Sequence, residues 1–98
     1  MRREYDVQPL FINNRWFRKV VIDDHVDKHF DHINDELIIM LVKELNGRDE
    51  LPVKKSDGFL YFATALKLEH DWYKLVWLTE KNSLYVGVVT AYKDRRIK

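Results

Sequence analysis

The chain has no cysteine. That excludes a disulfide framework and any thiolate metal site, and it fits a reducing compartment. Glycine and proline are scarce, with three and two residues in 98. Gly47, Gly58 and Gly87 stand apart from one another, so there is no Gly-rich phosphate loop, and each reads as a turn or packing residue. Long apolar runs are missing too. Nothing behind Met1-Arg2-Arg3-Glu4-Tyr5-Asp6 resembles a secretory leader, and no stretch approaches the roughly 20 apolar residues of a membrane span. A cytoplasmic protein without a membrane role is expected. Charge of one sign is also lacking. The net value of +1 excludes a chain that is basic overall and binds nucleic acid by bulk attraction.

What is present is apolar and aromatic. The chain is 46% hydrophobic, with five Phe, five Tyr and three Trp. That content rules against disorder and supplies one modest core, so residues 1–98 are expected to form one domain, with a basic tail from about residue 93. The charges are unevenly placed. Asp23, Asp24, Asp27, Asp31, Asp35 and Glu36 share one stretch with a single lysine, whereas Lys93, Arg95, Arg96 and Lys98 share the last six residues with Asp94. An acidic end and a basic end follow, either as binding surfaces or as ordinary solubilising charge.

Leu10-Phe11-Ile12, Asn13-Asn14 and Arg15 to Ile22 read as a hairpin, because asparagine tolerates the positive φ of a tight turn. Pro9 lacks an N–H, which places the first strand at a sheet edge. Asp23 or Asp24 can cap a helix to about Ile33, with Val26, Phe30 and Ile33 on one stripe. Asn34 caps a second helix, Asp35 to Asn46, which ends at Gly47. Arg48 to Asp57 reads as a loop. Strands follow at about 59–69, 72–79 and 84–93. The expected fold is α+β, in the order ββααβββ: an antiparallel sheet of about four to five strands with two helices packed on one face.

A turn at His70-Asp71 sets Leu66 opposite Leu75, and a turn over Glu80–Ser83 sets Trp77 opposite Val86. Phe62, Leu66, Leu68, Leu75, Trp77, Val86 and Val88 then share a core face. The other face carries Tyr61, Lys67, Lys74, Tyr85, Gly87 and Lys93. Lys67 and Lys74 become direct neighbours near Lys93, a costly arrangement unless an anion sits there. Arg95 and Arg96 are expected to continue this patch, with Lys67, Lys74, Lys93 and Arg96 contacting phosphate.

His25, His29 and His32 recur at helical spacing. The HExxH pattern is absent and no third ligand is implied, so neither a metal nor another cofactor is expected. The histidines read either as half-exposed helix residues or as acid–base catalysts that move a ribose proton near neutral pH. Thr90 and Tyr92 lie one pleat apart and can contact a phosphate or a base, or are simply good strand residues. Arg95 and Arg96 can pair phosphate through two parallel hydrogen bonds. Trp72, Tyr73 and Trp77 cannot all be buried on one face, and Trp72 is expected at an edge or in a groove.

A histidine-bearing helical front half (His25 to His32) and a strand meander ending in Val89-Thr90-Ala91-Tyr92-Lys93 resemble the ribonuclease-toxin superfamily that groups barnase, RelE and colicin D. The resemblance implies RNA cleavage without a metal or cofactor. It implies a catalytic set of His29, His32, Thr90, Tyr92 and Arg95, RNA as substrate and a protein antitoxin as partner. The expected chemistry is attack of a ribose 2′-OH on the adjacent phosphate. The alternative is an interaction module, antitoxin-like or immunity-like, that binds a protein or RNA partner without catalysis. Oligomeric state is not legible in the sequence.

Overall fold

Strand β1 (Arg3–Ile12) turns back on β2 (Arg15–Ile22) through Asn13 and Asn14, whose φ angles of 52° and 62° are those a two-residue hairpin requires. The computed structural model describes residues 2–23 and 33–94. The helix expected from Asp23 or Asp24 to Ile33 therefore falls almost wholly outside the described residues, together with His25, His29 and His32. Helix α1 (Asp35–Lys43) follows, then β3 (Lys54–Ser56), β4 (Phe59–Leu68), β5 (Asp71–Glu80) and β6 (Tyr85–Lys93).

The expected antiparallel sheet of four to five strands under two helices is not what forms. The structure has one six-stranded mixed sheet in the order β1-β2-β6-β5-β4-β3, and α1 is the one helix among the described residues. Two features account for the difference. First, Val20, Val21 and Ile22 are all buried, as in a strand flanked on both sides and covered on both faces. β6 provides the second flank and runs parallel to β2, pairing Val20 with Val86 and Ile22 with Val88. A parallel neighbour needs a long crossover, and the chain between β2 and β6 supplies it. Second, Asp57 and Gly58 take φ of 49° and 86°, so a two-residue turn adds the short strand β3 to the edge of β4. β3 is polar and three residues long, and its sequence does not show a strand's apolar alternation.

The edge position expected for β1 is observed. Its register shifts between Asp6 and Leu10, the stretch that contains Pro9. Farther along, its outer backbone groups are satisfied by the chain leaving α1. The Phe11 N–H donates to Asn46 Oδ1 at 2.8 Å, and the Gly47 N–H donates to the Phe11 carbonyl at 2.6 Å. The covered edge is thereby withdrawn from pairing with another chain.

Asn34 caps α1, its Oδ1 accepting from the Leu37 N–H at 2.8 Å. The helix ends at Lys43, earlier than the apolar pattern suggests. The Leu45 N–H bonds the Val42 carbonyl and the Asn46 N–H bonds the Lys43 carbonyl, tightening the last turn before Gly47 enters the left-handed region at φ 84°. Ile38, Leu41 and Val42 are buried against the sheet.

Below α1 the core joins Leu10, Ile12, Phe17, Val20 and Ile22 to Phe62, Leu66, Leu75, Trp77, Val86 and Val88. Each large side chain buried in this way contributes about 1.5–3 kcal/mol. Phe62 and Trp77 stack with centroids 4.0 Å apart. The buried Trp77 indole donates to Thr64 Oγ1 at 3.0 Å, and Thr64 donates to Glu50 Oε1 at 2.8 Å. This relay fixes the loop before β3 against the core.

Candidate functional site on the open sheet face

The face away from α1 carries several of the residues singled out in the sequence. Its side chains are set by two irregularities that sequence alternation does not reveal. The first is the β4–β5 turn, which falls at Glu69 and His70, with Glu69 at φ 58°. Every cross-strand pair therefore moves by two residues from the expected register. Phe62 faces Trp77, Leu66 faces Tyr73 and Lys67 faces Trp72. A shift of two keeps each residue on its face, so the division into core and open faces survives. Lys67 and Lys74 share the open face as expected. They are diagonal rather than directly opposed, because Lys74 faces Ala65. That spacing, roughly 7–8 Å between positions, eases the repulsion a direct pair would suffer.

The second irregularity is a bulge in β6. Trp77 pairs with Val88, and the preceding Val76 pairs with Thr90, leaving Val89 without a partner of its own. The alternation reverses there. Ala91 becomes fully buried opposite Leu75, while Thr90 and Tyr92 pass to the open face opposite Val76 and Lys74. Lys93 moves the other way. It pairs with Tyr73 on the α1 side, and its Nζ lies 3.3 Å from Asp71 Oδ1. The expected cluster of Lys67, Lys74 and Lys93 on one face is therefore not formed. What forms is Lys67, Trp72, Lys74, Thr90 and Tyr92 on neighbouring positions of three strands. Bulges commonly re-aim side chains in this way. His29, His32, Arg95 and Arg96 lie outside the described residues.

Trp72 is half-buried at the end of β5, where a groove or edge position was expected. His70, the fourth histidine, occupies the exposed turn at the same end of the sheet. A histidine in a turn carries no periodic signal in the sequence.

The other end of the open face is aromatic. Tyr61, Phe59 and Tyr85 border a cavity of about 320 Å³ over Val21 and Gly87, with Arg2, Asp23 and Glu80 at its margin. A Cβ at Gly87 would stand 2.7 Å from Leu78 Cδ1, so a larger residue there obliges the Leu78 side chain to shift. The Tyr85 hydroxyl donates to Glu80 Oε1 at 2.7 Å. Burial, reinforced by that carboxylate, pushes its pKa up to about 12, so it remains a neutral donor. The Lys54 ammonium lies 5.7 Å from the centre of the Tyr61 ring. Between the two aromatic ends, Ala63, Ala65 and Val76 form a low floor.

Comparison with known proteins finds no matching family model, no matching curated protein and no matching solved structure. No helix among the described residues is long and apolar enough to cross a membrane. No group of three or more His, Cys, Asp or Glu among the described residues is arranged to hold a metal ion.

Proposed function

We propose that this domain binds single-stranded RNA across its open sheet face. The observation that supports the reading is the grouping of Lys67, Trp72, Lys74, Thr90 and Tyr92 on β4, β5 and β6. Aromatic rings on a sheet stack unpaired bases, lysines follow the phosphates, and a hydroxyl can bond a phosphate or a ribose 2′-OH. The level of Lys74 lies four residues of β5 from the level of Leu78, beside Tyr61 and Tyr85. At about 3.3 Å per residue that is roughly 13 Å, a span for two to three stacked bases.

Tryptophan fluorescence titration with short single-stranded RNA tests this reading. Replacing Trp72 or Tyr92 with Ala should weaken binding about 5- to 150-fold, the equivalent of ~1–3 kcal/mol per stacked base. Affinity should fall with salt at a log–log slope of roughly 0.7 per phosphate contacted, and Lys74→Ala should lower that slope. Lys43→Ala, on the exposed side of α1, should change neither. Equal affinity for all variants contradicts the proposal.

RNA cleavage is the second reading. It is favoured by the direct pairing of Lys74 with Tyr92 beside Thr90, which gathers a cation and two hydroxyl groups where one phosphate could lie. Cleavage in EDTA that leaves cyclic phosphate ends and is lost in His29→Ala or His32→Ala supports it. Intact RNA after incubation with saturating protein removes it and leaves the binding role.

A further inference from the structure

A second cationic site lies at the opposite end of the sheet, where three turns meet. Arg15 follows the β1–β2 turn, Lys55 precedes the β3–β4 turn and Lys81 opens the β5–β6 turn. All three line one cavity of about 380 Å³, with Ser56, Phe59 and Leu60 among its walls. Asp57 is the one acidic residue among them.

The site is held in place by its backbone. The Lys81 N–H donates to the Gly58 carbonyl at 2.9 Å, which ties two of the turns together. Arg15 Nη2 donates to the carbonyls of Ser83 at 2.7 Å and Glu80 at 3.3 Å. The guanidinium also lies over the Phe17 ring, 4.9 Å from its centroid. These bonds use Nη2 alone, so the Nε and Nη1 donors remain for a ligand. The ion pairs formed among the described residues join Arg3 to Asp35, Lys19 to Glu4, Arg48 to Glu50 and Lys93 to Asp71. None includes Arg15, Lys55 or Lys81. Three cations share the cavity with one carboxylate, Asp57, so positive charge is in excess there and an anion that enters relieves the repulsion.

The geometry points to a binding site for the oligophosphate group of a small phosphorylated molecule, of the nucleoside diphosphate class. The immobilised guanidinium gives a phosphate oxygen a directed, charge-assisted bond from Nε or Nη1, while the lysines act as point charges on the remaining oxygens. The cavity is of small-ligand size. Leu60 and Thr79 place it toward the α1 side of the sheet, away from the face proposed for RNA, so it stands apart from that reading.

Amide NMR with inorganic pyrophosphate and with ADP as probes is the test. Both should shift Ser56, Gly58 and Lys81, and leave Trp72 and Tyr92 unmoved. The double variant Lys55→Ala/Lys81→Ala removes two exposed side chains and should keep the fold, while weakening both probes at least about tenfold. Arg15→Lys keeps the charge but not the guanidinium anchored to Ser83 and Glu80, and should also weaken them. Trp72→Ala should bind both probes normally even where it has lost RNA. An RNA bearing a 5′-phosphate that shifts these residues when neither pyrophosphate nor ADP does would assign the site to a nucleic-acid end and overturn the small-molecule inference. An absence of shifts at millimolar probe, or unchanged affinity in the double variant, also overturns it.

Discussion

Single residues in this chain hold distant elements together, and their contributions are separable. Thr64 both accepts from the Trp77 indole and donates to Glu50. Thr64→Val keeps the shape and removes both bonds, leaving a buried indole N–H unpaired. A loss of about 1–3 kcal/mol is expected by denaturant unfolding, with the greater part retained in Thr64→Ser. Asp35 shows the pH side of the same principle. Arg3 donates to both of its oxygens, at 2.6 and 2.8 Å, and the Tyr5 hydroxyl donates to one of them. The Arg3 hydrogen bonds hold the carboxyl below its ordinary value of 3.8. A lowered folded pKa gives stability that is complete above the unfolded value and is lost as pH falls through the lowered one. Arg3→Ala should therefore destabilise by about 1 kcal/mol at neutral pH, with the gap to wild type closing in strong acid. A gap that stays constant between neutral and acid pH would mean that Arg3 acts through packing.

At the scale of elements, the β6 bulge decides which residues meet. Val89 opposes no residue of its own, so deleting it leaves Val88 opposite Trp77 and Ala91 opposite Leu75. That variant should fold and keep Thr90 and Tyr92 on the open face. Deleting Ala91 instead forces Tyr92 into the closed space opposite Leu75. It should cost about 1–3 kcal/mol or more from overpacking and abolish RNA binding, as read by melting temperature and titration. Equal behaviour of the two deletions would show that the bulge does not set the face. The same element explains what was legible in the sequence. Alternation correctly grouped Phe62, Leu66, Leu75, Trp77, Val86 and Val88, because a two-residue shift in register leaves faces unchanged. It failed for Lys93, because one unpaired residue inverts everything after it. The Asn13-Asn14 turn, the Asn34 cap and the edge position of β1 were readable from local chemistry. β3 was not, since Lys54-Lys55-Ser56 owes its conformation to the turn that follows it. The parallel pairing of β2 with β6 is a long-range contact with no local signal beyond the unbroken apolar run Val20-Val21-Ile22.

For the whole molecule, the sheet separates two environments. One face is closed by α1 over an apolar core. The other presents lysines and aromatic rings on β4, β5 and β6, while β1 brings Glu4 and Asp6 to the opposite margin. At that margin Lys19 pairs with Glu4 and stands opposite Asp6, whereas Lys67 and Lys74 share the open face of β4 and β5, and binding to an anionic strand depends on where charges stand rather than on their sum. The claim that this face receives RNA is tested most directly by mapping amide NMR shifts during titration with a short single-stranded RNA. Shifts are expected at Lys67, Trp72, Lys74, Thr90 and Tyr92, extending to Tyr61 and Tyr85, with Leu37 to Lys43 of α1 unmoved. Shifts confined to α1, or none at saturating RNA, would contradict it.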